Sequence, residues 1–123
     1  MSEQYERGMK IRREVLGDEY VDNALKNADE FSQPFQELVT EVAWGSCWSR
    51  GVLTRKERSL INLAMLAALG RSHELEIHLR GAVRNGCSPE QIREALIQAA
   101  VYAGMPVGVE AFRVARKVLA ERT

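Results

Sequence analysis

Apolar positions recur along this chain three and four residues apart, and no segment alternates as a half-buried strand would. The pattern is densest between Thr54 and Gly86. Thr54 and Glu57 have capping-box spacing, and Leu60, Ile61, Leu63, Ala64, Met65, Leu66, Ala67, Ala68 and Leu69 follow, with Asn62 the one interruption from Leu60 onward. A helix with so little polar surface after its first turn is expected to be buried all round. Gly70 is placed as its left-handed stop, and Ser72 as the cap of a second helix ending at Asn85 and Gly86.

The flanking segments predict further helices. Tyr5 to Leu16 forms a narrow amphipathic stripe stopped by Gly17, and Asp18 caps a short helix carrying Tyr20, Val21, Ala24 and Leu25. Ser32 and Pro34 mark the next start, because a proline in the first turn loses no hydrogen bond. That helix buries Phe35, Leu38, Val39 and Val42 and is expected to end near Trp44 and Gly45, leaving an irregular segment up to Thr54. Ser88, Pro89 and Gln91 open a helix through Ile92, Ala95, Leu96, Ala99 and Ala100 to about Ala103. After Gly104, Met105 and Pro106 a last helix turns Val109, Phe112, Ala115, Val118 and Leu119 inward. The expectation is an all-α fold of about six helices in a single domain over residues 1–123, centred on the helix that begins at Arg55. Its excess of apolar surface predicts self-association.

Composition narrows the partners. Seventeen basic and seventeen acidic residues cancel, so there is no field to draw in nucleic acid or an anionic membrane. Cys47 and Cys87 form no CxxC motif, which suits a reducing cytoplasm. The charged N-terminal stretch does not read as a secretory leader, and the run from Leu63 to Leu69 is too short to span a bilayer.

At about 100° per residue, Arg71, Glu74 and His78 share one helix face. An imidazole one turn from a carboxylate and two from a guanidinium is an acid/base candidate; the bland alternative is a solvated face with an ion pair. Arg58, Arg71 or Arg80 would hold carboxylates. Trp44 and Trp48 either line a cleft or cover a core or subunit interface. No metal site is expected, since His73 and His78 point to different sides of one helix. Neither cysteine has a recognisable base partner.

Three segments, PFQELVTEVAWG, TRKERSLINLAMLAALGRSHELEIHLRGAVRNG and SPEQIREALIQAAVYAGMPVGVEAFRVARKV, closely resemble the carboxymuconolactone decarboxylase family, as does RGMKIRREVLGDEYVDNAL near the N-terminus. The likeness runs from about Tyr5 to Val118. It implies the helical alkylhydroperoxidase-D-like fold, no cofactor, and a homo-oligomer, a hexamer of intertwined subunits or a trimer. The wider superfamily carries a redox CxxCxxxH motif preceded by a glutamate. Here Arg71 and Glu74 stand at the cysteine positions, Ser59 at the glutamate, and only His78 is kept. Without the thiol pair no disulfide cycle is expected, so peroxidase activity is not.

The resemblance implies decarboxylation of 4-carboxymuconolactone to 3-oxoadipate enol-lactone in the degradation of protocatechuate through the β-ketoadipate pathway. In such a lactone the electrons left by CO₂ flow to the ring carbonyl, and the oxyanion is then protonated on carbon. The expected roles give His78 the proton donor, Glu74 its orientation, Arg58 or Arg71 a carboxylate anchor, and Trp44, Trp48 and Tyr102 the pocket walls. Rival readings are another lactone or keto-acid lyase, an oligomeric binding protein with a decayed pocket, and a thiol reductase using Cys47.

Overall fold

The computed structural model describes residues 2–121 and holds seven α-helices and one π-helical stretch, with no strand among the described residues. In order they are α1 (Glu3–Leu16), α2 (Asp18–Lys26), α3 (Gln33–Leu38), the π-helix (Val39–Cys47), α4 (Arg55–Ala68), α5 (Ser72–Arg84), α6 (Pro89–Ala103) and α7 (Met105–Ala120). The all-α expectation holds. The chain clusters into two compact units, one ending at Thr54 and one beginning at Arg55.

In the first unit α1 lies against the π-helix, and two glycines set how closely. A Cβ on Gly8 would collide with the carbonyl oxygen of Thr40, and one on Gly45 with that of Gln4. The bare backbones therefore touch. Gln4 Nε2 donates to Glu41 O at 2.8 Å, and buried Arg12 donates to Thr40 Oγ1 at 3.1 Å and Gln36 Oε1 at 3.0 Å. The helix expected to stop near Trp44 instead continues through Cys47 with wider turns, as in the bond from Trp48 N to Ala43 O at 3.0 Å. Asp18 is the first residue of α2, not its cap; Gly17, at φ 90°, takes that place.

In the second unit α4 and α5 form an antiparallel hairpin that packs with α6 and α7 around Leu63, Leu75, Leu79, Ile92, Leu96, Val114 and Val118. Ser88 and Gln91 close the capping box at the start of α6 as expected. The expectation that α4 is buried all round is wrong. Ser59, Leu63 and Ala67 are buried, but Ile61, Met65 and Leu69 stand exposed. Helix α4 is apolar on two sides, and within the second unit only one of them faces a core.

Candidate active site

The hairpin turn builds the site. Gly70 reverses the chain at φ 72°, and Arg71 N returns a hydrogen bond to Leu66 O at 2.9 Å. Ser72 was expected to cap α5, but Arg71 occupies the cap position, and the Ser72 hydroxyl donates to Glu110 Oε2 on α7 at 2.8 Å. A partner 38 residues away outcompetes the local backbone.

Antiparallel packing sets α5 residue His78 opposite α4 residue Asn62, with 3.3 Å between Asn62 Nδ2 and His78 Nδ1. Both side chains are half-buried. Arg58 lies one turn before Asn62 on α4, and Glu74 one turn before His78 on α5, so a cation and an anion flank the pair along the hairpin. Arg71 Nε donates to Glu74 Oε1 at 2.9 Å, and this bond holds the Glu74 carboxyl below its usual range. Glu74 acts on His78 through its charge. That pull is too weak: burial drives the His78 pKa down to about 4, against the smaller upward push from Glu74. At neutral pH only about one ring in a thousand carries a proton, so the imidazole is neutral.

The remaining expected residues sit elsewhere. Tyr102 is 85% exposed on α6 and lines an apolar groove of about 780 Å³ with Ile61, Ala64 and Met65; His78 is not among the residues lining that groove. Arg71 lines a smaller cup of about 260 Å³ with Leu66, Ser72 and Glu110. Arg80 is held by Glu76 and Glu121, each at 2.8 Å. Trp44 and Trp48 belong to the first unit, buried, with ring centres 4.9 Å apart and planes tilted by 31°. Cys47 is exposed, whereas Cys87 is buried, which raises its thiol pKa. Among the described residues no cluster of three His, Cys, Asp or Glu side chains is arranged to hold a metal.

Asn62 is the residue that sequence reasoning passed over. Its signal was present, a lone carboxamide inside an apolar run, but its partner lies 16 residues on. Chemically, a neutral imidazole with one nitrogen against an amide can donate a hydrogen bond to a developing oxyanion without giving up its proton.

Comparison with known proteins identifies the family. The carboxymuconolactone decarboxylase family model matches residues 33–117. A nitrosuccinic acid decarboxylase from Metarhizium robertsii is 48% identical over 115 residues, covering 94% of this chain and 80% of that protein. A 4-carboxymuconolactone decarboxylase from Acinetobacter baylyi is 40% identical over 116 residues, covering 94% of this chain and 87% of that protein. A Pseudomonas putida sequence of the same name is 44% identical over 43 residues, covering 35% of this chain and 90% of that protein. With most of its length matched by the family model and nearly all of it by two decarboxylases, the chain belongs to the carboxymuconolactone decarboxylase family.

Proposed function

We propose that the chain is a cofactor-free carboxy-lyase acting on a small dicarboxylate, with 4-carboxymuconolactone as substrate and 3-oxoadipate enol-lactone as product. The observation that carries this reading is near-full-length similarity to two decarboxylases of small organic acids. The higher identity to the nitrosuccinate enzyme favours a second reading, in which nitrosuccinate is the substrate. Both molecules share one chemistry. The departing carboxylate sits on a carbon conjugated to an oxygen-terminated electron sink, a lactone carbonyl in one and a nitro group in the other. Breaking the C–C bond releases CO₂, sends the pair to oxygen, and leaves an anion that takes one proton on carbon.

A pKa near 4 moves the role proposed for His78 from imidazolium proton donor to neutral hydrogen-bond donor at the oxyanion, with carbon protonated from water. Arg58 or Arg71 would anchor the carboxylate that stays. The exposed apolar stripes at Ile61, Met65, Tyr102, Val101 and Val109 support assembly into a homo-oligomer that covers them. A reducing cytoplasm is the proposed setting, and no helix among the described residues is long and apolar enough to cross a membrane.

The test is an ultraviolet assay of the purified protein with each substrate from pH 4 to 8. A neutral His78 predicts a rate that is flat above about pH 5 and falls as the ring protonates near pH 4. A rate that falls steadily as pH rises through 5 to 7 would restore the imidazolium role. No release of CO₂ from either dicarboxylate would overturn the proposal.

A further inference from the structure

We propose that the second unit associates head to tail with further copies of this chain: the α4–α6 groove of one copy receives the α6–α7 face of the next, and the series closes into a ring. The inference rests on the self-association proposed above and owes nothing to the decarboxylase chemistry.

Helix α6 separates two apolar surfaces. On one flank the groove of about 780 Å³ runs between α4 and α6, with Ile61, Met65 and Tyr102 exposed along it. On the other flank α6 and α7 form a trough of about 410 Å³, bordered by the exposed Ile97, Val101, Met105 and Val109. The floor of the trough is where Gly108 lets the two helices close, since a Cβ there would stand 2.6 Å from the Cβ of Ala100. The two linings share no described residue.

Area and charge select a second copy as the occupant. Each surface leaves on the order of 400 Å² of apolar side chain in water, so pairing one with the other covers roughly 800 Å², the apolar share of a standard interface of about 1,400 Å². The charged residues lining the groove are Glu90 and Glu94, at the start of α6. The α6–α7 face has Arg93 a turn before Ile97, Arg113 a turn after Val109 and Arg116 a turn after Phe112, all exposed. Arg93 and Arg113 also hold Glu94 and Glu110 of their own chain, at 3.2 and 2.8 Å. A groove with an acidic end meeting a face with a basic end gains an attraction that groove against groove, or face against face, lacks. Contact between unlike surfaces is heterologous, so every copy keeps one of each open until the series closes. Tyr102 and Val101 are consecutive, which sets the two surfaces about 100° apart round α6; the turn at each copy favours a ring over a straight filament.

Variants of the full chain test this by size-exclusion chromatography with light scattering and by native mass spectrometry. Met65→Glu puts a charge in the groove and Val109→Glu puts one on the face; both positions are exposed within the chain, so circular dichroism should show native helix content. Wild type should be an assembly of three or more chains with one mass. Each variant alone should lose that assembly and run as a monomer, because it keeps one surface and lacks the complement. Mixed in equal amounts they should form a 1:1 heterodimer, the intact groove of Val109→Glu holding the intact face of Met65→Glu. Single variants that stay dimeric and do not combine overturn the proposal, because the surviving contact would join like surfaces. So do wild-type filaments without a fixed mass. An assembly that survives Val109→Glu but is lost in Phe35→Glu also overturns it, by making the first unit's exposed Phe35, Leu38 and Val42 the occupant. Those outcomes leave self-association standing, whereas a monomeric wild type removes both.

Discussion

Each unit carries a part-buried or buried ionisable side chain in contact with an uncharged polar one, and the two respond in opposite ways. Arg12 in the first unit is 4% exposed, bonded to a threonine and a glutamine, and burial lowers its pKa; yet a guanidinium starts so high that it stays charged. His78 in the second unit meets an asparagine, and the same penalty strips its charge at neutral pH. Arg12 therefore acts as a fixed cationic strut between α1 and the π-helix, whereas His78 is a group whose protonation the fold controls. Desolvation acts on both groups, and only the starting pKa decides which of them keeps its charge.

The largest expected effect tests the strut. Gly8→Ala would drive a Cβ into Thr40 O and separate the two helices that Arg12 bridges, costing about 3 kcal/mol or more in urea unfolding. Next, His78→Gln should lower kcat about 100-fold or more with helix content retained; an unchanged rate would leave His78 as packing only. Arg12→Ala should cost about 2–3 kcal/mol, with the same loss at pH 5 and pH 8 because the guanidinium does not titrate there.

His78 predicts the opposite pH behaviour. Its folded pKa lies below the unfolded value of about 6.5, so the unfolded chain binds the proton first as pH falls. Stability present above pH 6.5 is lost between pH 6.5 and 4, by roughly 2 kcal/mol once the ring's partial exposure is allowed for. His78→Gln should flatten that slope, and a slope that persists would assign it to other groups. The smallest effect is a baseline within the second unit: Ser88→Ala removes the α6 cap for about 1 kcal/mol, equally at both pH values.

Helices whose ends are fixed by local chemistry were legible in the sequence. Ser88, Pro89 and Gln91 specify a start, and Gly70 a stop, because each acts on backbone groups within a few residues. Ser72 misled because its hydroxyl is claimed by Glu110, and the π-helix, which lies against α1 at Thr40 and Gly45, leaves no mark in the local spacing of apolar residues. The apolar run of α4 announced burial but not by what; periodicity marks a face without naming its cover. The Arg71–Glu74 bond and the Glu74–His78 spacing were readable as helix geometry, whereas the contact between Asn62 and His78 needed the hairpin to be folded.

The wide turns of residues 39–47 have a consequence for how this chain tolerates changes in length. Each turn closed five residues back spends one more residue than an ordinary turn would, so the segment holds slack that a strict α-helix lacks. Removing a single residue between Trp44 and Trp48 can be absorbed by tightening the coil, since four steps of about 80° become three of about 100° and the two indoles keep nearly their present angle about the axis. The pairing of the tryptophans is thus buffered against a change of length that a strict α-helix would turn into a lost contact.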